Sequence, residues 1–168
     1  EQPENLILDY RSQEIENKVR LENTIRENGW KLNMGLGYEN AIYTNSTYNQ
    51  IVLDGAVNVI DFESRLPVNK FAVFSQVSKE LVKNRLMVSF GLRTDWNDYS
   101  EEMSNPLDQL SPRLSASYAL SEKLNANFNV GRYFQLPPYT IMGYRDSNDL
   151  LANKENNITY IQADHFIA

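Results

Sequence analysis

The sequence predicts an all-β protein, an antiparallel meander of hairpins, and three observations carry that prediction. Apolar and polar residues alternate with a period of two over most of the chain, which suits strands with one apolar face. Short polar turns join the alternating runs in pairs. Ten Tyr and abundant Asn favour strands and turns over a helical bundle.

Residues 1–17 are mostly polar around Leu6–Leu8 and suggest a loop or weak strand. From Lys18 the pattern is clear: Val19, Leu21 and Ile25 share one face, and Lys18, Arg20, Glu22, Thr24 and Arg26 share the other. Asn28-Gly29, a strong hairpin signal, follows. In the return strand Trp30, Leu32, Met34, Leu36 and Tyr38 alternate with Lys31, Asn33, Gly35, Gly37 and Glu39. Gly35 and Gly37 lack the third glycine and following helix of a dinucleotide site, and they suit a strand facing a crowded interior. After Ala41 the pattern lapses, and residues 43–69 suggest a long connection with a short strand near Ile51–Ile60.

A second hairpin pairs residues 70–81, with Phe71, Val73 and Val77 on one side, through a turn at Lys79–Asn84 with residues 85–98. There Leu86, Val88, Phe90, Leu92 and Trp96 alternate with Arg85, Ser89, Gly91, Arg93 and Asp95. A longer connection covers 99–111. The third hairpin sets Leu114, Ala116, Tyr118 and Leu120 beside Leu124, Ala126, Phe128 and Val130, across a turn at Ser121–Lys123. Pro137 and Pro138 end that strand, since neither can donate to a ladder. A long loop over 135–157 and a strand over 158–168 complete the chain.

The connections alternate short and long. Loops segregated by length suit a barrel with turns on one side of a membrane and loops on the other. The polar face carries Arg, Asn, Ser, Gly and Asp in mid-strand, as a wet or filled interior requires. The apolar face carries Trp30, Tyr38, Trp96 and Tyr118 near strand ends, where interfacial aromatic belts belong.

Net charge is −6, which argues against nucleic acid. The chain has no cysteine, which excludes disulfides and Cys-based metal sites and suits passage through an oxidising periplasm. No window approaches eighteen apolar residues, so no membrane-spanning helix is predicted, but a spanning strand needs only ~9–11 residues. The start at Glu1 without Met and the end in "HFIA" suit a piece of a longer chain.

"LSPRLSASYALSEKLNANFNVGRYFQLPPY", residues 110–139, resembles the barrel of TonB-dependent outer-membrane receptors, particularly those of the Bacteroidetes group. "GLRTDWND", 91–98, resembles the strand preceding that unit. The resemblance runs from about Lys18 onward. It implies a barrel of the 22-stranded type closed by an N-terminal plug, importing siderophores, cobalamin, glycans or peptides with energy relayed by TonB. Residues 1–168 would then form a partial barrel domain of about seven strands, without the plug and the remaining strands. The implied location is the bacterial outer membrane, and the implied partners are outer-membrane lipid, the plug, TonB and a small-molecule, glycan or peptide substrate.

Tyr133, Gln135 and Tyr139 are the candidate ligand contacts at the outer mouth, with rim anchoring as the plainer role. Arg93, Asp95 and Arg113 are candidate lumen residues, facing the plug or a ligand, or forming a lattice in which charges on neighbouring strands compensate. Glu101, Glu102, Asp146 and Asp149 match no calcium loop and suit solvated surface. His165, the only histidine, suits an ordinary strand position. Asn45-Ser-Thr and Asn157-Ile-Thr are glycosylation sequons in form only. With no nucleophile elbow, zinc helix or phosphate loop, the sequence predicts no enzyme, cofactor or metal. The alternative is a soluble all-β ligand-binding or adhesion domain, which requires Leu86, Phe90, Leu114, Tyr118 and Phe128 to pack into one buried core.

Overall fold

The computed structural model describes residues 6–83 and 85–168. Seven strands form one antiparallel sheet in chain order: β1 (Leu8–Glu27), β2 (Trp30–Leu53), β3 (Ala56–Leu81), β4 (Leu86–Asn97), β5 (Ser111–Ser121), β6 (Leu124–Gln135) and β7 (Ile161–Ile167). Three one-turn helices lie between strands: α1 (Glu101–Ser104), α2 (Tyr139–Met142) and α3 (Ala152–Glu155). No helix among the described residues is long and apolar enough to cross a membrane.

The hairpins centred on Asn28-Gly29, on Val82–Arg85 and on Ser121–Lys123 form where the alternation predicts them. The predicted turn at Lys79–Asn84 falls slightly late, since β3 runs to Leu81, and Asn84 lies outside the described residues. The last strand forms as expected but begins at Ile161 instead of 158, and the loop expected over 135–157 contains α2 and α3.

Two expectations fail. Residues 8–17 are neither a loop nor a weak strand, because they extend β1 along β2 as far as Leu8 opposite Asn49. Of the 1–17 prediction, residues 1–5 lie outside the described residues. Nor are residues 43–69 a long connection. β2 and β3, of 24 and 26 residues, run in unbroken register to Leu53 opposite Ala56. The turn there is Asp54-Gly55, with φ of 51° and 78°, the left-handed pair that a two-residue hairpin of this twist requires.

β4 stops at Asn97, opposite Lys70, and β2 pairs Glu39 with Lys70. The β2–β3 ribbon therefore projects about 45 Å past the shorter strands, at ~3.3 Å per residue. The row Lys18–Glu39–Lys70–Asn97, joined by direct cross-strand pairing, marks the level where the two parts meet.

The side chains change sides at that row. Toward the turns, one face carries the apolar row Ile25–Leu32–Val77–Phe90–Leu114–Val130–Phe166, and the opposite face carries Thr24–Asn33–Gln76–Gly91–Arg113–Gly131–His165. Beyond it, the formerly polar face becomes apolar. Ala41, Tyr43, Leu66 and Val68 occupy that face and are buried. The other face becomes polar, with Asn17, Asn40, Thr44, Ser46, Glu63 and Arg65.

The buried core lies beyond the rim. Tyr99, Met103 of α1, Tyr139 and Met142 of α2, and Tyr160 cover Ala41, Tyr43, Leu66 and Val68. Tyr43 and Tyr139 stack at 6.0 Å between ring centroids. The Tyr99 hydroxyl donates to the Met142 carbonyl at 2.9 Å, and Asn97 Nδ2 donates to Tyr160 Oη at 2.8 Å. Gly143 sits where the loop crosses the Tyr43 ring; a Cβ there would lie 2.8 Å from Tyr43 Cε1. Leu86, Phe90, Leu114, Tyr118 and Phe128 form no buried core. Phe90 and Leu114 are neighbours on one open face, 50 % and 40 % exposed. The soluble-domain packing is thus not what the chain adopts.

Met103→Ala and Met142→Ala are expected to cost about 2–5 kcal/mol of loop stability each, the usual penalty of deleting a buried side chain. Leu107→Ala, at a residue 74 % exposed, stays within about 0.5 kcal/mol. Amide hydrogen exchange across 98–110 and 136–160 reads the difference; equal exchange in all three variants would show that this cluster is not a core.

Candidate functional site

The inner face at the rim is a network of opposite charges on neighbouring strands. Lys18 on β1 meets Glu16 at 2.6 Å and Glu39 of β2 at 3.2 Å. Lys70 on β3 pairs with Glu39 and lies 3.2 Å from Glu16. The alternation of β1, β2 and β3 puts all four side chains on one face, and direct register brings Lys18, Glu39 and Lys70 into line. Lys70 and Glu39 are half-buried, so screening weakens their contact less than that of an exposed pair, while Glu16 is the more exposed member.

The loop cluster docks onto this network through Tyr139. Lys70 Nζ donates to Tyr139 Oη at 2.6 Å, and Tyr139 Oη donates to Glu16 Oε1 at 3.3 Å. Burial holds the Tyr139 phenol above its ordinary pKa, partly offset by the Lys70 charge. Burial likewise pushes Tyr99 and Tyr160 up to about 12. All three stay protonated at neutral pH, so Tyr139 and Tyr99 remain donors.

Below the rim, an open cavity of about 500 Å³ runs along the inner wall. Arg93 and Asp95 line it and pair along β4, at 2.7 and 2.5 Å. Opposite charges meet across strands at the rim, among Glu16, Lys18, Glu39 and Lys70, while Arg93 and Asp95 pair within one strand. Arg113 also lines the cavity, with its guanidinium 4.3 Å above the Tyr133 ring. Tyr133 in turn lies 4.8 Å from the His165 ring.

The three predicted mouth residues point to different neighbours. Tyr133 belongs to the inner wall with Arg113 and His165. Gln135, the last residue of β6, is exposed opposite Ile161. Tyr139 is only 8 % exposed and fastens the loop to the rim. Glu16, Glu39 and Lys70 were not among the predicted residues, although the alternation through Glu39 already placed Glu39 and Lys18 on one face. This face is crowded at Gly35, where a Cβ would lie 2.6 Å from the Phe74 ring, but not at Gly37, where the nearest atom would be 3.8 Å away. Glu101 and Glu102 open α1. Asp146 accepts from the Leu150 and Asn148 amides, which hold its carboxyl below the ordinary carboxylate range. Among the described residues, no three His, Cys, Asp or Glu side chains cluster as a metal site would require.

Lys70→Met is expected to speed proteolysis within 136–157, because it removes the donor to Tyr139 and leaves Lys18 as the one cation shared by Glu16 and Glu39. Tyr139→Phe removes only the hydroxyl link and costs about 1 kcal/mol. Limited proteolysis of the two variants should rank Lys70→Met as the more labile, and the reverse order would exclude Lys70 as the hub.

A search of curated proteins finds no match. The family model described as "TonB dependent receptor-like, beta-barrel" matches residues 3–163, nearly the whole chain. That match spans the seven-stranded meander, with its apolar band, its charged inner wall and its loops gathered at one end. On this match, the chain belongs to the family of TonB-dependent receptor-like β-barrels and is, in general terms, part of an outer-membrane receptor or transporter.

Proposed function

We propose that this chain is a wall segment of a larger closed barrel in the bacterial outer membrane, through which a nutrient is imported with energy supplied by TonB. The exchange of faces at the rim carries this reading. Toward the turns, apolar side chains face outward and polar ones inward, as a barrel wall between lipid and an aqueous interior demands. Past the rim the outward face is polar, as water requires. Aromatic rings bound the apolar band: Tyr38, Phe71 and Trp96 pack side by side at the rim, and Trp30 and Tyr118 lie toward the turns under Lys79 and Arg85. Trp30 and Tyr38 are about 26 Å apart along β2 at ~3.3 Å per residue, or about 20 Å in height at the ~40° tilt of such strands, within the ~25 Å band of such barrels.

In this reading the turns face the periplasm and the loop cluster faces outside. β1 and β7 are open edges of the sheet. An unpaired edge costs several kcal/mol per lost hydrogen bond in lipid, so further strands complete the wall. The plug fills the lumen against Arg93, Asp95 and Arg113. Substrate, of the siderophore, cobalamin, glycan or peptide class, arrives at the loop end. There Gln135 is the accessible contact, Tyr133 lines the path below, and Tyr139 holds the loop in place. No step requires covalent chemistry.

Phe90→Arg puts a cation in the middle of the apolar band and is expected to cost about 2–4 kcal/mol of membrane stability. Ser46→Arg, on the outward face past the rim, is expected to be neutral. Heat-modifiable gel mobility of the full-length receptor in outer-membrane fractions measures both, and an assembly defect in Ser46→Arg alone would refute the assigned boundary. In cells lacking TonB, uptake through the receptor should stop; undiminished uptake would identify a passive pore.

A further inference from the structure

The inner wall carries more positive than negative side chains, although the whole chain is acid-rich. Most of its cations are matched. Lys18 and Lys70 share Glu16 and Glu39, Arg20 pairs with Glu22, and Arg93 pairs with Asp95. Arg113 differs: among the described residues it has no carboxylate partner, and its Nε is buried without a hydrogen-bond partner.

The sequence around Arg113 clears the space beside it. Its register partners are Gly91 on β4 and Gly131 on β6. Neither glycine puts a side chain on the inner face, so nothing on the adjoining strands meets Arg113 at its own level. A Cβ at Gly131 would lie 3.0 Å from Arg113 Cγ, so the glycine is what lets the side chain lie flat toward Tyr133. Stacking on Tyr133 satisfies one face of the guanidinium but none of its N–H donors. Arg20 and Arg93 line the same cavity. Each has its own carboxylate two residues along its strand, so they add no anion for Arg113. Like charges grouped on neighbouring strands repel.

We propose that Arg113 is a carboxylate-binding residue of the lumen, taking an anionic oxygen pair presented from inside the barrel, with Tyr133 holding the guanidinium in plane. Guanidinium and carboxylate match in geometry as two parallel hydrogen bonds. The inference rests on the barrel reading above and deepens it. The carboxylate belongs either to an Asp or Glu of the domain filling the lumen or to a soluble anion passing through it, and the chemistry at Arg113 is the same.

The test uses the full-length receptor in detergent. Arg113→Lys converts the guanidinium to an amine, and a water-soluble carbodiimide then joins that amine to any carboxylate in contact with it. Peptide mapping by mass spectrometry should find an amide link at position 113 several-fold more abundant than at Lys31, an exposed inner-face lysine of the same molecule. A link to an Asp or Glu beyond these 168 residues identifies a resident carboxylate. A succinate adduct that forms only when succinate is added identifies a soluble one. Links only to Glu22 or Asp95, or none above the Lys31 level, overturn the proposal. As a second measurement, Arg113→Gln should lower the thermal midpoint of the receptor where the carboxylate is resident, or abolish the rise in midpoint that added succinate gives where it is soluble, while Arg26→Gln, at an exposed cation, changes neither; the same behaviour in both variants, with and without succinate, also overturns it. Heat-modifiable mobility of the unsubstituted receptor checks the barrel separately, so a negative coupling result in an inserted receptor removes the Arg113 assignment alone.

Discussion

Every other feature of this chain depends on one constraint: the backbone of a strand in lipid must find all its hydrogen bonds in neighbouring strands. Between neighbours the seven strands meet it with consecutive antiparallel ladders, with one register shift between Ala119 and Ser121 among the described residues, while β1 and β7 keep open outer edges. Because the ladders take up the backbone polarity, the side chains alone distinguish lipid, lumen and water. Period-two alternation then gives each strand two faces, and the surroundings of each face set its chemistry. At the row Lys18–Glu39–Lys70–Asn97 the residue type changes on both faces at once while the ladder continues, as a change of surroundings at that level would require.

The projecting ribbon of β2 and β3 follows from the same logic. A two-stranded hairpin alone in water is marginal at best. Here β1 widens it as far as Leu8, and the loops between β4 and β5 and between β6 and β7 cover its inner face. Covering brings its own demands. Asn97 is buried at the base of the cluster, and it is satisfied by Tyr160 and by the Tyr99 amide. The cluster also needs a fixed foot, and Tyr139 on Lys70 provides it. The loops at this side of the mouth are thus packed structure fastened to the wall.

The hairpins nearest the membrane were legible in the sequence because one environment lies on each side of them for their whole length. Val19 to Ile25, Trp30 to Tyr38, Leu86 to Trp96 and Leu114 to Leu120 keep one phase throughout. Residues 43–69 were not legible for the same physical reason. Beyond Lys70 the apolar residues move to the opposite face, so Tyr43, Leu66 and Val68 look like a lapse when they are a reversal of phase. Asp54-Gly55 was the available signal, a turn dipeptide of the same kind as Asn28-Gly29, with Val52 and Val57 opposite each other beside it. Glu16 was hidden because its segment is almost wholly polar, with Ile15 as the one apolar residue between Arg11 and Lys18. For the site, alternation alone puts Arg93, Asp95 and Arg113 on the polar face of their strands, and the register of β4 with β5 makes it one face. Which of them is paired could not be seen, because Arg93 and Asp95 are joined along one strand, while the isolation of Arg113 depends on glycines in two other strands.

Those glycines bear on how such a wall divides its work. A lattice that neutralises itself, as Glu16, Lys18, Glu39 and Lys70 do, is stiff and indifferent to what passes. It suits a rim that must hold loops in place. A cation flanked by Gly91 and Gly131 has the opposite character: its compensation must come from whatever occupies the interior, so its energy depends on the occupant. Rim and mid-wall use the same residue types on the same face. Register decides which behaviour results, according to whether a carboxylate or a glycine stands opposite. In a ladder of this kind, a one-residue slip of β4 or β6 would turn Gly91 or Gly131 to the apolar face and end the distinction. The fixed pairing of the strands is therefore also what separates the self-contained charges from Arg113, whose Nε is buried with no partner on the wall itself.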